Sequence, residues 1–165
     1  MKNSAHEPII QQLSRMFIDR KLQLVLAESM TSGAVASVIS TDHDAGEYFV
    51  GSVVCYSDEV KTRVLDVDDN LIEQYGGVSE QVTRALTDGL HQLFPNTSLL
   101  VSITGFAFEC PATSRENPVG TTYIDIRYAN HHHTDKYIFD GGDRDIIDQA
   151  VLHTFLLIQR VLEEE

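Results

Sequence analysis

Residues 22–33, LQLVLAESMTSG, decide the architecture. From Leu22 the run LQLVLAE is short, apolar and tightly bounded, as a buried strand would be. It runs directly into SMTSGAVASVIS from Ser29, whose small and apolar residues read as a helix. Upstream, Ile9, Ile10, Leu13, Met16 and Phe17 recur at helical spacing and predict an amphipathic helix ending near Arg20 and Lys21, cations that suit a helix C-terminus.

Downstream, YFVGSVVCYS reads as a strand from its β-branched and aromatic residues, and Ser57 is placed to cap the helix DEVKTRVLDV. After a turn at Gly76 and Gly77, Ser79 caps a longer helix with Val82, Leu86, Leu90 and Leu93 on one face, ended by Pro95 and Asn96. SLLVSIT is a third buried strand, and the aperiodic stretch from Phe106 to Pro118 is a loop. VGTTYIDIRY and TDKYIFD form a pair of strands joined through Ala129 to His133, before a last helix built on Ile146, Ile147, Ala150, Val151, Phe155, Ile158 and Leu162. Strands alternating with helices, then a hairpin, predict an α/β fold with a mixed sheet covered on both faces. With no repeat or linker, residues 1–165 read as one domain, and ligands belong beyond the strands' C-terminal ends.

Composition narrows the partners. With 25 acidic against 12 basic residues the net charge is -13, which repels nucleic acid and anionic membrane surfaces. An anionic small molecule remains compatible, because a helix N-terminus and a few convergent cations act over short distances. No apolar run approaches the roughly 20 residues that span a bilayer, and no signal segment is present, so a cytoplasmic protein is expected. Cys55 and Cys110 lack the close pairing of a zinc or redox motif and read as reduced structural thiols.

Three places hold residues fit for chemistry. In AESMTSG, Glu28, Ser29 and Thr31 sit where strand turns to helix, a geometry that offers a hydroxyl beside unpaired N–H groups able to hold a phosphate or oxyanion; the same serine or threonine would equally serve as a cap. In YSDEVK, Tyr56 ends a strand and Lys61 lies one turn into a helix, so both can face one cleft, where a desolvated lysine can act as base to a serine; a solvated Lys61 and a packed Tyr56 are the alternative. In GGDRD, Asp143 is positioned to cap the last helix, while Arg144 in the first turn opposes the helix dipole, as an anion-binding arginine would. His131, His132 and His133 are consecutive and point in different directions, which speaks against a metal site.

AESMTSG, the strand ending in YSDEVK, GGVSE, SITG, NPVG and GGDRD occur in the order and approximate spacing of CinA C-terminal domains, which the chain resembles over nearly its whole length. The resemblance implies a three-layer α/β/α sandwich and, as in the family's nicotinamide mononucleotide deamidases, release of ammonia to give nicotinic acid mononucleotide. It implies Ser29 as nucleophile, Lys61 as its activator and Tyr56 as third member of the catalytic set. Thr31, Gly33, Thr104, Gly105 and Arg144 match positions that shape the nucleotide pocket, with the phosphate met by Arg144 or the helix end after Ser29. Acyl transfer of this kind needs no metal or cofactor, and relatives commonly self-associate, which implies a homodimer.

The chain departs from the family pattern at several positions. Met30 and Ser32 stand where relatives read ESCTGG, Phe108 and Glu109 replace the glycine and proline of a GIAGP-type loop, Asn117 replaces a lysine before PVG, and Asp148 an arginine in the last helix. Two alternatives follow: a member that keeps the fold and binds a nucleotide or protein partner without turnover, and a hydrolase of a different amide.

Overall fold

The computed structural model describes residues 6–164. Helix α1, Glu7–Arg20, starts with a proline in its first turn and stops at Lys21, whose left-handed backbone (φ 54°) lets the chain reverse. Strand β1, Leu24–Glu28, is buried along its whole length, and α2 follows as the short helix Ala34–Ile39. Strand β2, Phe49–Val54, leads to α3, Asp58–Leu65, where the Ser57 hydroxyl accepts from the Val60 N–H at 3.3 Å. Next come α4, Asp69–Tyr75, and α5, Glu80–Leu93, the latter capped by Ser79. Strands β3, Leu99–Gly105, β4, Thr121–Tyr128, and β5, His131–Ile138, complete the sheet before α6, Asp143–Glu164.

The strands lie in the order β2-β1-β3-β4-β5, with β1 parallel to β2 and β3, and the pairs β3–β4 and β4–β5 antiparallel. Pleating sends Leu24, Leu26, Val101 and Ile103 to one face, where α1, α2 and α6 bury Phe17, Val35 and Phe155 over them. It sends Val25, Ala27 and Leu100 to the other face, under Leu65, Val82, Leu86 and Leu90 of α3 and α5. The result is the three-layer α/β/α sandwich around a mixed sheet. No helix among the described residues is long and apolar enough to cross a membrane.

Four local expectations change. The helix placed from Ser29 begins only at Ala34, because residues 29–33 form a turn. A helix α4 stands where no element was read; the Asp68 side chain caps it by accepting from the Asn70 N–H at 2.8 Å. The hairpin connection is the two residues Ala129 and Asn130, both with positive φ (48° and 67°), so the histidines belong to β5. At α6 it is Asp145, not Asp143, that turns back to accept from the Gly142 N–H at 3.0 Å.

The C-terminal ends of β1, β2 and β3 lie side by side, with Glu28 opposite Val54 and Ile103. Everything that follows those strands therefore opens at one edge of the sheet.

Candidate active site

At that edge a cavity of about 730 Å³ is lined by Ser29, Met30, Tyr56, Lys61 and Gly105, with Tyr75 to Val78 on one side and residues of the 106–117 loop on the other. The Ser29 N–H bonds to the Ile103 carbonyl at 3.0 Å, which fixes the residue against β3. Its hydroxyl has no partner among the described residues and lines the cavity. The Met30 N–H, next in the chain, likewise has no acceptor among the described residues.

Lys61 comes from the buried face of α3, its side chain only 3% exposed. Its Nζ lies 2.9 Å from Asp58 Oδ1 and donates at 3.5 Å to the Tyr56 carbonyl, and it makes no hydrogen bond to Ser29. Tyr56 is 56% exposed at the mouth. A Cβ on Gly77 would meet Asp58 Oδ1 at 2.5 Å, so the bare Gly77 backbone makes room for this carboxylate. Cys55, just before Tyr56, is fully buried; burial pushes its thiol up to about 11, partly opposed by the nearby Lys61 charge.

Glu28 determines the shape of the turn that carries Ser29. Its buried carboxylate accepts from the Thr31 hydroxyl (2.8 Å), the N–H groups of Gly33, Val35 and Ala36 (3.0 Å each) and the Ser52 hydroxyl (2.9 Å). The helix end that sequence reasoning offered to a phosphate is therefore occupied by the protein's own carboxylate. Thr31 and Gly33 stand behind the cavity wall as donors to Glu28 and do not line it. Thr104 is also behind it, its hydroxyl 2.8 Å from that of Thr83. Of the five pocket positions carried over, only Gly105 is at the surface of the cavity. Arg144 is exposed in the first turn of α6, outside the lining, although Ile147 one turn later contributes to it.

Residues 6–162 match the family described as the CinA C-terminal domain. The chain belongs to that family. A CinA-like protein of Thermotoga maritima is 38% identical over 141 residues, 86% of this chain and 34% of that protein. One from Thermotoga neapolitana is 32% identical over 158 residues, 96% of this chain and 38% of that one. The chain thus spans little more than a third of the length of the curated relatives it matches. Among solved structures, a competence-damaged protein (CinA) superfamily protein from Klebsiella pneumoniae superposes with a TM-score of 0.90 at 24% identity, covering 98% of this chain and all of that one, a likeness of fold.

Against the CinA pattern, the departures have visible consequences. Ser32, one of the expected departures, has a left-handed backbone (φ 49°). Met30 extends to Thr122, whose hydroxyl donates to its sulfur at 3.5 Å, and the sulfur sits where a Cβ on Gly105 would be, 2.1 Å away. The loop from Phe106 to Asn117 contributes Phe106, Phe108, Cys110, Ser114 and Glu116 to the cavity. Cys110, read as merely structural, is therefore a cavity residue.

Asp58 is a site residue without a motif of its own; its position three residues before Lys61 in a helix is the signal for the pair. Nor does a motif mark the structural role of Glu28, whose signal is a lone charge closing an all-apolar strand. The histidine run resolves by alternation: His132 places Nδ1 2.8 Å from Asp125 Oδ2 and Nε2 3.2 Å from Asp88 Oδ1, away from the cavity.

Proposed function

We propose that the cavity hydrolyses the carboxamide of nicotinamide mononucleotide, or of a close analogue, through an acyl-enzyme on Ser29. The observation that carries this reading is that Ser29, from one stretch of chain, and Tyr56 and Lys61, from another, line one cavity beside an unengaged N–H at Met30. Ser29 Oγ attacks the carboxamide carbon and its proton passes to the Lys61 amine. The oxyanion faces the Met30 N–H. The carbon–nitrogen bond then breaks, Lys61 returns the proton to the leaving nitrogen, and ammonia departs. Water attacks the ester, and nicotinic acid mononucleotide leaves as Ser29 regains its proton. Tyr56 is the third member of the set, its phenol facing substrate at the mouth. For the Lys61 amine to reach Ser29, its ion pair with Asp58 opens first.

The same ion pair favours a second reading, a nucleotide-binding module without turnover, because it occupies the amine that the reaction needs. A third reading, a different amide, draws on the bulk of Phe108 in the cavity wall. Purified protein is incubated with nicotinamide mononucleotide and with a panel of other primary amides, and ammonia is measured. Enzyme-dependent ammonia from the nucleotide supports the first reading; tight binding by calorimetry without ammonia supports the second; ammonia only from another amide supports the third. The reading includes a cytoplasmic homodimer, whose mass light scattering measures.

A further inference from the structure

A nucleotide carries a phosphate, and the cavity wall offers it no spare cation. Lys61 is paired with Asp58, and Glu116 adds a second acidic residue to the lining. The N–H groups of α2 go to Glu28. A cation for the phosphate must come from outside the lining, and one is fixed against its outer side.

Lys136 on β5 directs Nζ to the Glu116 carbonyl and to Asn117 Oδ1, both at 2.9 Å. Both of those residues line the cavity. The Tyr123 hydroxyl donates to the same Asn117 oxygen at 3.0 Å, and the ammonium stands 5.3 Å from the Tyr123 ring centre, across the β4–β5 ladder where the two residues are paired. An ammonium has three donors. Two are spent here on neutral oxygens, so the charge and one donor remain for an anion.

Arg20 is also fixed on a neutral oxygen, the Leu162 carbonyl at 2.6 Å, but it touches no residue of the cavity lining; the cations that follow differ from Lys136 in one of two ways. Arg63, Arg84, Arg127 and Arg160 each face a carboxylate, on Glu59, Glu80, Asp88 and Asp135. Arg115 and Arg144 are exposed and make no hydrogen bond among the described residues, so binding would have to order a long side chain. Lys136 is already ordered and not neutralised, the condition for a preformed contact.

We infer that Lys136 binds the phosphate of the substrate, with Asn117 as the positioning residue that holds its ammonium at the cavity edge. This rests on the amidase reading. It is a specificity-determining role, and it separates the nucleotide from its unphosphorylated nucleoside.

The test compares Lys136→Met with the unaltered protein on nicotinamide mononucleotide and nicotinamide riboside. The ratio of the two kcat/KM values falls about tenfold or more, mainly through KM for the nucleotide, and Lys136→Arg restores most of it. An unchanged ratio overturns the inference while leaving the amidase reading intact. If neither compound is turned over, the amidase reading fails, and the ratio of the two dissociation constants by calorimetry decides the inference. Selective weakening of nucleotide binding in Lys136→Met upholds the phosphate contact; equal or no effect on the two ligands overturns it.

Discussion

Glu28 accepts a hydrogen bond from the Gly33 N–H at 3.0 Å, so the carboxylate that ends β1 also caps the helix that begins after the turn. The residue between them in function is Ser29, held in place by a charge with five donors and no cation partner. Glu28→Gln keeps the volume but turns one oxygen into a donor facing the donors of that cluster. The loss in unfolding free energy is about 2 kcal/mol, read from urea denaturation, with a larger fractional loss of ammonia release than the folded fraction explains.

Ser32→Gly acts in the opposite direction. A serine at φ 49° carries backbone strain that glycine does not, so the substitution raises the unfolding free energy by about 0.5–1 kcal/mol, seen as a higher urea midpoint. A fall in the midpoint would mean that the turn is held by something other than its backbone geometry.

Asp58→Asn leaves Lys61 buried without its carboxylate. Because Asp58 is 57% exposed, water screens much of the pair, and the expected loss of stability is about 1 kcal/mol. Lys61→Met removes the proposed proton carrier, and the expected result is a kcat about 100-fold or more lower with little change in the calorimetric affinity for the nucleotide.

The two thiols separate by environment. Burial raises Cys55 to about 11, so at pH 8 almost none of it is thiolate and the native protein resists alkylation there. Cys110, partly exposed in the cavity loop, reacts first with iodoacetamide, and saturating nucleotide slows that reaction. Since the folded value of Cys55 lies above that of the free thiol, its contribution to stability is complete below about pH 9 and is lost as pH rises towards 11.

Acid stability has two contributors on the β5–α6 side. His153, tilted against the rings of Tyr137 and Phe139, is held below the ordinary histidine value by burial. Its contribution is present above about pH 6.5 and is lost as pH falls through the lowered value. Asp135 is also lowered: burial pushes it up, but hydrogen bonds from Arg160 and Tyr137 outweigh that, so its contribution disappears only below the usual carboxylate range. Urea midpoints between pH 8 and pH 5 fall, and His153→Gln flattens that fall.

Much of the fold is legible because burial writes itself into composition. The run from Leu24 to Ala27 has no polar residue, and only a strand covered on both faces tolerates that. The start of α2 is not legible locally, since Ser29 and Thr31 look like caps while the capping carboxylate precedes them. Helix α4 offers only Leu71 and Ile72 to the core, too few to show a period. Ala129 in a left-handed turn carries none of the usual turn chemistry, which hid the beginning of β5.

The site divides in the same way. Ser29, Tyr56 and Lys61 stand out through the motifs they belong to, and the parallel register of β1, β2 and β3 brings their stretches to one edge. The contact of Lys136 with Asn117 depends on the β4–β5 register and on the path of an irregular loop, which no local pattern reveals. Thr31, Gly33 and Thr104 resemble pocket residues in sequence but hold the wall from behind.

The proposed chemistry forms one covalent bond that can be trapped, the ester on Ser29. Protein mixed with nicotinamide mononucleotide is quenched in acid within the first turnovers, and the peptide bearing Ser29 is weighed by mass spectrometry. The expected result is a mass gain equal to the nucleotide less ammonia on Ser29, absent in Ser29→Ala together with ammonia release. Ammonia release that continues in Ser29→Ala, with no adduct on this peptide, contradicts the Ser29 acyl-enzyme.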